Sequence, residues 1–132
     1  MSACTADRDT IYREGLELEY PVKAATKIYA GSMVAVDSTG YAIPAANAAG
    51  HQLVGVALEQ VDNSLGASGA RQVRVRTAGV FDFTAASISQ ANVGAEMYVV
   101  DDQTFDEVNP GQGIRCGKLV KYVSATRGWI KI

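Results

Sequence analysis

Apolar positions along this chain fall into short runs, some alternating with polar ones at a period of two, the spacing of a β-strand with one face buried, and some apolar throughout. In "LELEY" Leu16, Leu18 and Tyr20 alternate with Glu17 and Glu19, and Pro21 ends the run. "SMVAVD", "YAIPA" and "QLVGVALEQV" follow, with turn residues such as "STG" between them. A loop rich in Gly, Ser and Asn, "DNSLGASGA", leads into "RQVRVRTAGVF", where Val73 and Val75 face one way and Arg74 and Arg76 the other. At Ala78-Gly79-Val80 the alternation slips, the mark of a bulge or a sharp bend. "EMYVV", "TFDEV", "CGKLVKYV" and "GWIKI" supply the remaining strands. Only "TAASISQANVG" has helical character, and Gly94 limits it to a single turn. The pattern predicts an all-β fold of short strands forming a single β-domain over residues 16–132. The polar first fifteen residues lack a period and read as a flexible N-terminal arm.

An internal echo runs through the pattern. Gly31 heads an apolar run that ends at Asp37, with Tyr41 four places on; Gly94 heads another that ends at Asp101, with Phe105 four places on. A glycine-headed strand follows in each half, "GVALEQV" from Gly55 and "GKLVKYV" from Gly117. The offsets are all about sixty residues, as two copies of a hairpin-plus-strand unit would give. Short β patterns are degenerate, so the echo alone does not separate duplication from coincidence.

Composition narrows the function classes. The 132 residues are 48% hydrophobic and 20% charged, which suits a globular domain with a real core. A net charge of −2 argues against nucleic-acid binding, which calls for a basic face. No apolar run approaches a membrane span, and the polar start "MSACTADRDT" does not read as a signal peptide, so a protein made in a cytoplasm is expected. Neither Cys4 nor Cys116 has a second Cys or a His at metal-ligand spacing, and a reducing cytoplasm disfavours a disulfide between them.

Candidate chemistry is sparse. "GQGIRCGKLV" looks like a phosphate loop, but five residues rather than four separate Gly111 from Gly117, and Leu119 stands where Ser or Thr would hold magnesium. No long helix follows to aim its amides at an anion. "NPGQG" is therefore read as a turn, and Gly117 as a bulge or a close backbone approach. His51, the only histidine, is read as an exposed loop residue, which leaves no base for a triad. The acidic stretch "DDQTFDE" holds Asp101, Asp102, Asp106 and Glu107, the first place to look for a hard cation, although a hairpin would splay these carboxylates and a solvated turn is the default. Arg71, Arg74 and Arg76 line one strand face and are candidates for pairing with a carboxylate-bearing neighbour; Tyr12 and Arg13 in the arm are further partner-contact candidates. Trp129, Tyr122, Phe81 and Phe83 are expected in the core. No catalytic constellation, metal or cofactor is expected; a small metal-binding β-barrel using the acidic turn remains the rival.

Together the runs "AGSMVAVDSTGYAIPA", "LVGVALEQVDN", "QVRVRTAGVFDF" and "VGAEMYVVDD" resemble the small head-decoration, or capsid cement, proteins of tailed bacteriophages. The matching segments are the glycine-headed strand Gly31 to Val36, Val54 to Ala57, Val73 to Phe81, and Gly94 to Tyr98, within a likeness that covers Glu19 to Ile132. "AGVFDF" is followed here by a Ser/Gln/Asn-containing stretch where many members have Pro or Asp. The resemblance implies a compact β-barrel or β-tulip on the outside of an expanded icosahedral shell. It implies a homotrimer that braces adjoining major capsid protein subunits, without enzymatic activity. A tail or baseplate β-module is the alternative virion role.

Overall fold

A computed structural model describes residues 2–10 and 15–132. The first segment is exposed along its whole length. Among the described residues the fold is all-β apart from one 3-10 turn at Gln90–Asn92, the single turn that the sequence allows.

The described residues form twelve strands, arranged as two five-stranded bodies and a small pair. In the first, β1 (Glu17–Pro21), β3 (Met33–Val36), β4 (Ala42–Pro44), β5 (Gln52–Ala57) and β7 (Gln72–Arg76) form a sheet in the order β1-β7-β5-β3-β4. Its two edges meet through a parallel bridge, Val22 to Ala42. In the second, β8 (Val80–Ala85), β9 (Glu96–Val99), β10 (Thr104–Asp106), β11 (Arg115–Ser124) and β12 (Arg127–Lys131) form a closed barrel. A small pair, β2 (Thr26–Ile28) with β6 (Val61–Asn63), stands beside the first sheet.

The two bodies are copies of one plan, so the echo in the sequence is a duplication in space. β1 runs antiparallel to β7 with Glu17 opposite Arg76, as β8 runs antiparallel to β12 with Val80 opposite Lys131. The parallel Val22–Ala42 bridge has its counterpart in the parallel pairing of Ala85 with Phe105. Gly31 N–H donates to Ala57 O at 2.8 Å, and Gly94 N–H donates to Leu119 O at 2.7 Å. Thr77 N–H donates to Leu16 O and Ile132 N–H to Gly79 O, both at 3.0 Å.

Gly55 and Gly117 hold the same place in the two copies. Both have positive φ, 154° and 124°. A Cβ on Gly55 would lie 2.9 Å from the carbonyl carbon of Arg76, and one on Gly117 2.9 Å from that of Lys131. Each also sits at a register shift in its ladder. Gly117 is thus both the bulge and the close approach expected of it, and the strand that follows it belongs to a barrel wall.

The run "RQVRVRTAGVF" is not one strand. Residues 77–79 carry the chain from β7 of the first body to β8 of the second, and the slip in alternation marks that handover.

Each body has its own interior. Val22, Val34, Ala42, Ala57, Val73 and Val75 fill the first. Their counterparts Ala85, Met97, Phe105, Leu119, Gly128 and Ile130 are buried in the second. Met33, Ala35, Ile43 and Val56, from the first sheet's other face, join the buried cluster of the second barrel, with Val99, Ile114 and Cys116. This shared cluster welds the copies into one block. Phe83 is buried, with Phe81 and Tyr122 packed partly buried against the cluster. Trp129 departs from the expected core role: with Gly128 and Ile130 inward, the pleat turns it to the outside, half-buried.

Candidate functional site

A polar cleft lies between Asp82, Thr84, Gln103, Thr126 and Arg127, where Asp82 and Arg127 bind each other, and the other features that stand out are surfaces. The acidic stretch lies on the β9–β10 hairpin and the start of the next loop. Asp101 accepts a hydrogen bond from the Gln103 N–H at 2.9 Å, and Glu107 accepts one from the Asn92 amide at 2.9 Å. Asp106 sits on β10 opposite Tyr98. Partial burial, and then the neighbouring Asp101 charge, raise the Asp102 carboxyl above its ordinary value. Among the described residues, no three of His, Cys, Asp and Glu converge as a metal would require.

The arginine row faces a carboxylate row on the chain itself. Arg76 is opposite Glu17 and Arg74 opposite Glu19 across β7 and β1. The Arg74 guanidinium lies 4.0 Å from the Glu17 carboxylate and 3.6 Å from that of Glu59. Arg71 is exposed just before β7, and its carbonyl accepts the Val22 N–H. Tyr12 and Arg13 lie outside the described residues.

The matching face of the second copy carries different chemistry. Trp129 stands where the first copy has Arg74, Lys131 where it has Arg76, and Val80 where it has Glu17. Lys121 is opposite Trp129, and Lys118 is opposite Lys131. Asp82 faces Trp129 in register but binds the Arg127 guanidinium through both carboxylate oxygens. That partner holds Asp82 below the usual carboxylate range.

A third surface is the loop between β6 and β7, where the first copy has a longer excursion than the tight β11–β12 turn of the second. At its tip Leu65 is fully exposed. The loop is well tied down. Buried Asn63 donates from its amide to the carbonyls of Val22, Lys23 and Ala67, at 3.0–3.2 Å. Asp62 accepts the Ser64 N–H at 3.0 Å, and Gly66 N–H donates to Asn63 O at 3.1 Å. An apolar side chain held in water on a rigid loop is a ready interface anchor.

His51 is less exposed than its loop position suggested. It is partly buried, with Nδ1 unpartnered among the described residues. It lines a cleft with Gln52, Gln112 and Arg115, where the β4–β5 and β10–β11 loops meet. Asn47 bridges these loops, donating to Pro110 O and accepting the Gln112 N–H, both at 3.0 Å. Cys116 is buried, and burial with the nearby Glu96 charge pushes its thiol up to about 12; Cys4 is exposed. No helix among the described residues is long and apolar enough to cross a membrane.

No known family model matches this chain, and no curated protein or solved structure matches it. Sequence reasoning missed the outward Trp129 and the Leu65 tip. The period-two rule already contained the first, since Ile130 and Trp129 cannot both face inward; the second depends on which loop residues the tertiary fold leaves uncovered.

Proposed function

We propose that this chain is a non-enzymatic structural protein of a tailed-phage head, made in the host cytoplasm and bound to the outside of the expanded shell. There it would brace adjoining major capsid protein subunits as a homotrimer. The observation that carries the reading is the role of the glycine-headed strands that resemble the cement family. Gly31 with Gly94, and Gly55 with Gly117, occupy matched hydrogen-bonded or close-approach positions in the two barrels. The residues behind the likeness are therefore the ones that shape the fold. A welded, twofold-repeated β-block suits a clamp, which needs stable surfaces rather than a reaction centre. The exposed segment Ser2–Thr10 suits an arm that orders on a neighbour, by strand addition for example. Leu65 suits an anchor into an apolar pocket. Several weak contacts made together hold far more tightly than any one of them.

The test is to mix purified protein with expanded, undecorated phage heads and measure what co-sediments. Saturable binding is expected, and no binding at micromolar concentration overturns the reading. Labelled protein found on tails instead of heads would replace it with a tail or baseplate role.

A further inference from the structure

The two copies invite a face-by-face comparison, and at one face they disagree in charge. On the first copy the outward side chains of β1 and β7 balance: Glu17 and Glu19 lie across from Arg76 and Arg74, and Glu59 joins Arg74. On the second copy the corresponding positions of β8 and β12, with β11 beside them, present Trp129, Lys131, Lys121, Lys118 and exposed Val80. None of these three lysines has an ion-pair partner among the described residues. Lys118 and Lys131 stand directly opposite one another, an arrangement that destabilises an isolated ladder. The single tryptophan of the chain sits among them, partly exposed.

The chain also carries the complement. Asp101 and Glu107 are exposed on the β9–β10 hairpin and its exit, beside exposed Val108, and neither carboxylate has an ion-pair partner among the described residues. We propose that the Trp129–lysine face of one copy docks the β9–β10 acidic turn of a second copy. Such a contact joins two different surfaces of the same molecule, so repeating it closes a ring or grows a filament, according to the rotation between copies. Trp129 is the apolar centre and the lysines form the charged rim, the usual division of labour in an interface. Asp82, opposite Trp129 but held by Arg127, and Glu96, opposite Lys118, lie within the face, which suits a partner with a few discrete carboxylates better than a continuous polyanion such as nucleic acid. This deepens the reading above by naming the surface through which copies meet, and it is tested without a shell.

Sedimentation of the full chain across a salt series reads the mass directly, and Trp129 emission reports on the face. The expected result is a mass above the 13.9 kDa protomer at low salt that falls as salt rises. Trp129 emission should shift to shorter wavelength as association proceeds. Lys121→Glu with Lys131→Glu, or Asp101→Lys with Glu107→Lys, should each weaken association about tenfold or more. Mixing the two charge-reversed proteins should restore it. A protomer at every salt concentration, an oligomer indifferent to both double variants, or emission that does not follow the mass would each overturn the proposal. So would single-stranded DNA binding to the face more tightly than a second copy. A protomer that still decorates heads would end this inference and leave the capsid reading standing; an intact oligomer that ignores heads would do the reverse.

Discussion

Gly117 follows a backbone path that a larger residue could take only by moving the neighbouring strand. Its φ is positive, and the carbonyl of Lys131 occupies the space of a Cβ. Gly117→Ala should therefore destabilise the fold by about 2–3 kcal/mol through strain and displacement of β12. Gly55→Ala should cost a similar amount; urea unfolding of both variants against the parent checks it. Asp37 belongs to the same scale. Its carboxylate accepts the Thr39 hydroxyl and backbone N–H and pairs with Lys23 at 2.9 Å. These contacts, the Thr39 hydroxyl first, hold its carboxyl far below the usual range. A depressed folded-state value means that the contribution is complete above the unfolded carboxylate's pKa of about 4 and fades as pH falls toward the folded one. Asp37→Asn should be less stable than the parent at pH 7, and the gap should narrow as the pH is lowered below about 4; thermal unfolding across that range reads it.

At the scale of elements, the two barrels solve one packing problem with different side chains. Ala57 and Val73 in the first are matched by Leu119 and Gly128 in the second. A Cβ on Gly128 would come within 2.7 Å of Leu119 Cδ1 and 3.0 Å of Ile88 Cδ1, so the large leucine and the absent side chain are one arrangement. Gly128→Val alone should cost about 1–3 kcal/mol by overpacking, and Leu119→Ala alone about 2–5 by leaving a cavity. Together they recreate the first barrel's pair, and a double-mutant cycle should return about 1 kcal/mol or more of favourable coupling. Additive costs would mean that the correspondence is geometric only.

Much of this was legible in the sequence because strand periodicity is local. "LELEY" and "GKLVKYV" each betray a half-buried strand without help from the rest of the chain, although Leu16 stays exposed, and the apolar run "MVAV" betrays one buried on both faces. The glycines were legible too, since few residues tolerate their backbone. By contrast β2, three residues long, owes its existence to pairing with distant β6, and no local pattern announces it. The division of "RQVRVRTAGVF" between two bodies was hidden for the same reason: the decision is made by partners far along the chain. Of the candidate surfaces, the arginine row and the acidic turn were visible as runs. Its role as one side of an internally balanced face became visible only once β1 was laid beside β7.

For the whole molecule, the division of labour is between a rigid block and what projects from it. The shared cluster under Met33, Val56, Ile114 and Cys116 ties the barrels together, so the surfaces they carry keep fixed relative positions. Deleting residues 1–14 removes none of the described strands and should leave the unfolding midpoint of the block unchanged; under the proposed capsid role it should weaken binding to heads. Circular dichroism melts beside a head-binding isotherm separate the two effects, and equal head binding by the shortened protein would remove the arm from the clamp.

The matched bonds from Thr77 to Leu16 and from Ile132 to Gly79 extend the β1–β7 and β8–β12 ladders beside the crossing between the two bodies. Residues 15–16, 77–79 and 132 therefore share one corner. A fluorescent reporter or displayed peptide attached at Ile132 starts beside Gly15 and Leu16, where the N-terminal segment joins the block. Cargo meant to spare that segment belongs on an exposed turn far from this corner.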